Sequence, residues 1–438
     1  MPRLLTSVLL VVGLASSTCA QTARAPQGAL DSIAESYVKL ALRLGLYDPD
    51  FVDAYLGPAE WKPGEADSAQ AKTTPVAELG READRLLTEL QGIPIEKLPE
   101  IERRRIVYLR AQLVSLRARV DMLSGKRLTF DEESKAIYDI VAPQYNVDSL
   151  DAALEELDAF LPGTGDLVER AEAYRKQFIV PQDKIDTVFK TAIAEARRRT
   201  RQHIALPADE RFTSEYVTGV SWAAYNWYKG NNHSIIQVNA DVPFYVSSAI
   251  AWACHEGYPG HHVQNVLVEK YLLRGRGWVE YSVYPLFCPT APLSEGGAEY
   301  AVELAFPDSE RVAFEKQVLF PLAGLDSAKV EDYYRYRTLT KRLKGAGIEG
   351  DRRYLDGKIS REEAIAWIGK YSLRNEKESE RSVRFAEKYR SYVITYTLGE
   401  DQVKAYVERR AAAVGDPARR WEFLRDLFAI PHVPSDLL

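Results

Sequence analysis

Residues 252–264 read WACHEGYPGHHVQ and contain three of the six histidines in the chain. His255 is followed by a glutamate, and the next two histidines, His261 and His262, come after a Pro-Gly pair. On a straight α-helix, His262 would return to nearly the same face as His255, but about 10.5 Å further along the axis. His261 would be far along the axis and on another face. A straight helix therefore excludes a metal ion shared by these side chains.

The Pro259 and Gly260 pair changes this expectation. Proline removes a backbone donor and clashes with the preceding turn, while glycine adopts conformations that other residues avoid. Together they permit a bulge that absorbs two residues, which would place His261 where the signature H-E-x-x-H has its second histidine. This geometry predicts His255 and His261 as metal ligands, with Glu256 activating a water on the metal. The alternative is a kinked helix whose histidines cap freed carbonyls.

A third ligand is predicted in the stretch PLSEGGAEYAVEL, some thirty residues downstream. Ser294 is suited to cap a helix there, and Glu295 and Glu299 would lie four residues apart on one face of it. Zinc hydrolases often take a downstream glutamate as third ligand, which favours Glu295 and leaves Glu299 as the alternative. The other interpretation is a pair of solvated surface acids. Two adjacent glycines weaken a helix by about 1 kcal/mol each, so they indicate a close approach or a turn.

A short strand is predicted just before the histidine cluster, where SIIQVNAD (234–241) alternates apolar and polar residues. Such a strand could present unpaired backbone groups to an extended substrate. Ile236, Val238 and Asn239 are therefore predicted to bind substrate, and a small structural hairpin is the alternative. His262 is a further candidate for the site.

Composition is that of an ordinary globular protein, because 46% of the 438 residues are hydrophobic and 27% are charged. A net charge of −6 gives no sign of a nucleic-acid partner or an anionic membrane surface. Helical periodicity dominates and predicts a helical lobe over 31–210. A catalytic helical region is expected over 211–438, continuous with that lobe in one domain. The sequence does not indicate an oligomeric state.

The N-terminus, MPRLLTSVLLVVGLASSTCA, has one basic residue, an apolar run and then small residues. This layout predicts a cleavable signal peptide over 1–20 and a periplasmic or secreted protein, followed by a linker over 21–30. The apolar run is too short for a stable membrane span. Cys19 offers lipidation as an alternative. Cleavage after Ala20 would leave two cysteines, Cys254 and Cys288, which are either paired in an oxidising compartment or separately buried.

The segment HEGYPGHHVQ, followed by SEGGAEY, resembles the bacterial family catalogued as domain of unknown function 885. That family carries H-E-x-x-P-G-H-x-x-Q and, later, E-G-W-A-x-Y; NHSIIQVNADVP and WEFLRDLFAIPHVPSDLL are also similar to it. The family is grouped with gluzincin-type zinc peptidases, which implies a large helical zincin-like metallopeptidase fold. Residue by residue, the match marks His255, Glu256, His261 and Glu295. This chain has Gly297 where the family usually has tryptophan, which puts the shape of the pocket in doubt.

The resemblance also marks Tyr396, in YTLG, where the family tends to have a tyrosine. This hydroxyl could hydrogen-bond the oxyanion that forms when water attacks a carbonyl; the alternative is a packed aromatic residue. The sequence therefore predicts a mainly α fold with a small β region beside the active-site helix. It also predicts a Zn²⁺-dependent hydrolase, a metallopeptidase cleaving peptide bonds by metal-activated water. The alternatives are hydrolysis of a small non-peptide amide, or an inactive peptide-binding relic of the fold.

Overall fold

The computed structural model describes the backbone of residues 18–96, 98–220 and 222–438, and the side chains of these residues from 27 onward. Nearly all of the predicted signal peptide, including the side chain of Cys19, lies outside the described residues. The first helix covers residues 21–30, where a linker is predicted. Leu30 and Ile33 are buried, and the helix continues upstream from that anchored turn. No helix of the described residues is long and apolar enough to cross a membrane.

The prediction of a mainly helical fold is confirmed. The first part of the chain carries eight α-helices: α1 (Thr18–Leu44), α2 (Glu65–Ala71), α3 (Ala77–Gln91), α4 (Glu100–Leu123), α5 (Phe130–Tyr138), α6 (Val147–Phe160), α7 (Leu167–Lys176) and α8 (Ile185–Arg201). Their sequences explain them: in α4 the buried apolar residues recur at steps of three and four, at Ile106, Leu109, Leu113, Leu116 and Val120.

The second part begins with the helices that surround the histidine cluster. These are α9 (Val246–Trp252), α10 (His261–Val268) and α11 (Thr290–Ala305). The remaining helices are α12 (Asp308–Phe314), α13 (Phe320–Ala323), α14 (Val330–Lys341), α15 (Ala346–Leu355), α16 (Arg361–Ser372), α17 (Glu376–Tyr389), α18 (Ile394–Val414) and α19 (Arg420–Ala429). Ser294 lies inside α11, so its predicted capping role is wrong. Pro292 is tolerated because the first turn leaves backbone N–H groups unpaired in any case.

Two small sheets lie among the helices. In the first, β1 (Val52–Tyr55) pairs antiparallel with β5 (Val283–Pro285). The second contains β2 (Arg211–Val217), β3 (Ala224–Tyr228) and β4 (His233–Asn239) in the order β2-β4-β3. Strand β4 is parallel to β2 and antiparallel to β3. The strand predicted at 234–241 is therefore present as β4, in the middle of its sheet.

Two large apolar clusters form the core. One packs β4, α9 and α11 against α8, α18 and α19. The other joins α1, α3, α4 and α5 to β5 and to the start of α18. Both clusters contain residues from either side of residue 210, and the predicted division there stays a prediction. Cys254 and Cys288 are buried in different clusters and are not joined to each other.

Candidate metal centre

The helix that carries His255 is broken where Pro259 and Gly260 predict a bulge. After α9 the chain makes a π-helical turn, Ala253–Gly257, leaves the helix for three residues, and enters α10 at His261. The Gly260 N–H donates to the carbonyl of Cys254 at 2.9 Å. A side chain on Gly260 would overlap the carbonyl oxygen of His255, so only glycine fits this position.

The bulge brings together one atom from each of three predicted ligands. The Nε2 atoms of His255 and His261 are 3.1 Å apart. Oε2 of Glu295, on α11, lies 3.3 Å from the first and 3.5 Å from the second. A tetrahedral ion with bonds of about 2.0–2.2 Å separates its ligand atoms by about 3.3–3.6 Å. The three side chains therefore fit a zinc ion with a fourth position left for water or substrate.

Polar side chains lie behind both imidazoles, next to the ring nitrogens that face away from the cluster. Nδ1 of His261 lies 3.4 Å from Oγ of Ser294, which donates to Oε1 of Gln264 at 2.7 Å. Nδ1 of His255 lies 3.3 Å from Oε1 of Glu299, without regular hydrogen-bond geometry. Carboxylates and hydroxyls behind ligating histidines keep the proton on the far nitrogen and free the near one for the metal. Glu299 therefore stands behind His255.

The third ligand is oriented in the same way. The hydroxyl of Tyr392 donates to Oε1 of Glu295 at 3.1 Å, which leaves Oε2 facing the histidines. Burial raises the pKa of Glu295, but His261 and His255 outweigh it and hold that pKa well below its usual range. The carboxylate is thus charged and available as a metal ligand. No sequence pattern marks Tyr392, because it lies about a hundred residues after Glu295 among many other tyrosines.

Glu256, the predicted base, lines the same cleft as the three predicted ligands. Its side chain is buried in the wall of this cleft, which has a volume of about 550 Å³ and is also lined by Tyr396. Burial raises the pKa of Glu256, although His255 and His261 oppose that shift. Its backbone carbonyl accepts a hydrogen bond of 2.5 Å from Nδ2 of Asn226 on β3. Tyr396 is 36% exposed in this cleft, which is the setting required for contact with a substrate.

The predicted substrate-binding residues of β4 do not face the cleft. Ile236 and Val238 are buried in the core, and the side-chain amide of Asn239 donates to two backbone carbonyls of the preceding loop. Both edges of β4 are paired, so the prediction that this strand presents unpaired backbone is wrong. The alternating pattern of β4 arises because one face of the strand packs in the core. Edge strands and central strands can both show this alternation, so sequence alone does not distinguish them.

Strand β3, which the sequence-based predictions did not include, lines the cleft together with residues of β1 and β5. It is an edge strand, and Tyr225 and Trp227 lie along the cleft wall. The Tyr225 hydroxyl donates to both carboxylate oxygens of Asp53, at 2.5 and 2.6 Å, and so joins β3 to β1. The aromatic stretch AYNWY was a signal for this strand.

His262 lies outside the metal cluster. It is fully buried, with Nδ1 2.8 Å from Oγ of Ser234 and Nε2 3.1 Å from Oε2 of Glu210. Burial lowers the pKa of His262, although Glu210 opposes the shift. His262 follows His261 by one residue in α10. Because a helix turns by about 100° per residue, the two side chains point in different directions. The candidate role of His262 at the metal is therefore replaced by a packing role.

The glycine pair in α11 serves close packing. A side chain on Gly296 would overlap the backbone of Gly399 on α18, and one on Gly297 would overlap the ring of Phe428 on α19. The close approach predicted from these glycines is confirmed. Phe428 also lines the cleft, so it occupies the space that a glycine leaves at position 297.

Comparisons with known proteins show a shared fold and nothing more specific. No protein-family model matches the chain, and no curated protein matches it. The fold is similar to that of a "putative lipoprotein" from Colwellia psychrerythraea, with a TM-score of 0.54 and 14% identity, over 86% of this chain and 69% of that chain. A "putative lipoprotein of unknown function" from Shewanella oneidensis is also similar, with a TM-score of 0.50 and 14% identity, over 85% and 74%.

Proposed function

We propose that the protein is a zinc-dependent hydrolase, and specifically a metallopeptidase. The observation that carries this proposal is the triangle of His255, His261 and Glu295, whose ligand atoms are 3.1, 3.3 and 3.5 Å apart. A structural zinc site would close with a fourth protein ligand, whereas this one faces a cleft that contains a buried carboxylate. The same residues support membership of the family named domain of unknown function 885.

The roles of the side chains follow from their places in the cleft. When bound, Zn²⁺ supplies a Lewis acid that polarises a carbonyl and lowers the pKa of water. Glu256 takes a proton from the attacking water and returns it to the leaving amine, which its raised pKa favours. The Tyr396 hydroxyl donates a hydrogen bond to the oxygen of the attacked carbonyl. Tyr392 keeps the carboxylate of Glu295 oriented.

A peptide is the substrate that the cleft favours over a small amide. Strand β3 runs along the cleft with one edge paired to β4, and none of the described strands pairs with its other edge. An extended peptide adds to such an edge through backbone hydrogen bonds. The carbonyl of Glu256 is held against this strand by Asn226, so a peptide on β3 would pass beside the proposed base.

We further propose that the protein is exported, to the periplasm or beyond the cell. The apolar run and small residues of 1–20 support a signal peptide. Two similar solved proteins are described as putative lipoproteins, which supports lipidation of Cys19 as a form of the same export. Mass spectrometry of the mature N-terminus separates cleavage before Gln21 from a lipid on Cys19.

The test is zinc content and peptide hydrolysis in the wild type and in Glu256→Gln. We expect about one zinc per chain in both proteins, because Glu256 is not a ligand, and turnover at least about 100-fold lower in the variant. Glu422→Gln is the matched control, since that residue is on the surface of α19 and pairs with Arg419. Absence of bound zinc, or substantial turnover by Glu256→Gln, contradicts the proposal.

A further inference from the structure

A second and larger cavity, of about 1160 Å³, adjoins the metal centre. Glu299 connects the two sites, since it lies 3.3 Å from Nδ1 of His255 and also lines this cavity. Glu303 follows at the next helical step on the same face of α11, and Ala251 precedes His255 by four residues on the facing helix. Four helical residues span about 6 Å. The larger cavity therefore begins about one helical turn from the ligands.

Three of the four acidic residues that line this cavity lie against basic side chains. Glu303 is paired with Lys404, at 2.5 and 2.8 Å, and Glu400 is paired with Lys344. Glu299 lies against His255. The fourth acid, Asp308, is exposed at the start of α12.

Two other cations of the wall also have acidic partners, since Arg311 pairs with Glu315 and Lys341 lies 3.9 Å from both Glu303 and Glu400. Arg335 has no ion pair among the described residues, but it is exposed and lies over the ring of Phe160. Two half-buried arginines of the wall remain without an acidic partner in the described part of the chain.

Arg337 is one such cation. Its Nη1 donates to Oγ of Ser247 at 2.6 Å, and its guanidinium lies over the rings of Tyr333 and Tyr334, 5.9 and 5.7 Å from their centres. These contacts fix the side chain, yet none of them is with a carboxylate. Within the part of the chain that the structure describes, Arg337 has no ion pair.

Arg175 is the second half-buried cation of this cavity without an acidic partner in the described ranges. Its Nη2 donates to the carbonyl of Leu373 at 3.1 Å, and its buried Nε has no hydrogen-bond partner. It too has no ion pair with any of the described carboxylates. Two half-buried guanidinium groups without an acidic partner among the described residues therefore line one cavity. A guanidinium binds a carboxylate through two parallel hydrogen bonds, and such charge-assisted bonds are the strong ones.

We propose that the larger cavity receives the part of a peptide substrate that extends past Glu299, and that Arg175 and Arg337 bind a carboxylate of that part. This inference rests on the proposed peptidase function. The carboxylate has two sources of the same chemistry, the C-terminal α-carboxylate of the peptide or an Asp or Glu side chain within it. A terminal carboxylate would make the protein a carboxypeptidase that removes a short C-terminal fragment.

The test compares one peptide series on wild type, Arg337→Gln and Arg175→Gln. The series holds a glutamine peptide with a free C-terminus, its C-terminal amide, and the amide with glutamine replaced by glutamate. We expect wild-type kcat/KM to be about 10- to 100-fold higher for one carboxylate-bearing peptide than for the neutral amide. Each variant should reduce hydrolysis of the preferred carboxylate-bearing peptide more than hydrolysis of the neutral amide, so that the preference falls. The peptide that is preferred identifies the source of the carboxylate.

Arg342→Gln is the matched control, because it removes the same charge just after α14, where Arg342 pairs with Glu156 outside the cavity. Thermal midpoints establish that each variant is folded, and Arg337→Lys should restore part of the preference. Equal hydrolysis of all three peptides by wild type overturns the inference, as does an equal effect of Arg342→Gln. Binding of the same peptides to Glu256→Gln gives a readout without turnover. A carboxylate preference there, with no hydrolysis by wild type, would contradict the proposed function alone.

Discussion

At the scale of the residue, Gly260 decides whether the two histidines meet. Its backbone passes so close to the carbonyl of His255 that a methyl group has no room. The N–H of Gly260 also closes a hydrogen bond to Cys254. A substitution here must move the π-helical turn or α10, and either shift separates ligand atoms that stand 3.1 Å apart.

Gly260→Ala is therefore expected to weaken zinc binding by at least about tenfold and to destabilise the fold by about 1–3 kcal/mol, as overpacking does. Competition with a chromophoric chelator measures the first effect and urea denaturation the second. Gly347→Ala is the control, since a side chain at Gly347 on α15 meets only Cδ1 of Ile368 at 3.9 Å. Wild-type zinc affinity in Gly260→Ala would show that the bulge does not position the histidines.

At the scale of the element, the crossing of α11 and α18 positions Glu295, the proposed third ligand. Gly296 and Gly399 let the two helices approach until backbone meets backbone. Glu295 is the neighbour of Gly296, and Tyr392, which orients it, lies just before α18. The same crossing therefore sets both the ligand and the hydroxyl behind it.

Gly399→Ala is expected to force the helices apart, because the added methyl group would overlap the carbonyl of Pro292. We expect a loss of about 1–3 kcal/mol in the free energy of unfolding, with weaker zinc binding. Urea denaturation and chelator competition measure both. Gly347→Ala again serves as control and should be neutral or stabilising by up to about 1 kcal/mol. An unchanged zinc affinity in Gly399→Ala would exclude this role of the crossing.

A second set of contacts between elements is centred on Glu210, whose side chain is fully buried. It accepts hydrogen bonds from Arg197 and Arg201 on α8, from Tyr258, and from His262 on α10. Burial raises the pKa of Glu210, but these contacts outweigh it and lower the pKa to about 2. The charged carboxylate thus joins α8 to α10, the helix that begins with the proposed ligand His261.

Glu210→Gln should cost about 3 kcal/mol of stability at neutral pH, as loss of a buried ion pair does. A depressed pKa stabilises the fold above the unfolded value of about 4.5 and loses that contribution as the pH falls toward 2. The gap between wild type and variant should therefore shrink below about pH 4.5. Urea midpoints across this range measure it, and a gap independent of pH would contradict the assignment.

At the scale of the whole molecule, the metal centre joins segments that are distant in sequence. His255 and His261 flank the break before α10, Glu295 comes from α11, and Tyr392 precedes α18. A ligand that binds only the folded arrangement stabilises it by mass action, by about 2.7 kcal/mol at a free concentration of 100 times Kd. Zinc should therefore stabilise the entire fold.

We expect the thermal midpoint to rise with Zn²⁺ and to fall after chelation, and the shift to be lost in Glu295→Gln. Mg²⁺ at the same concentration is the control, because it prefers octahedral oxygen sites and should give no shift. Scanning calorimetry is the measurement. An equal zinc-dependent shift in Glu295→Gln would place the stabilising ion elsewhere.

The sequence by itself determined what is local. Helical periodicity specified the mainly α fold, and the Pro259 and Gly260 pair predicted the bulge, because both depend on residues close together in the chain. The tertiary structure decided the rest. It showed that Glu295 faces Nε2 of both histidines whereas Glu299 faces Nδ1 of His255, a difference that two residues on one helix face do not reveal in sequence. It alone showed that β4 is paired on both edges and that β3 lines the cleft, since alternation is the same in both cases. Long-range packing, which no local pattern encodes, made these choices.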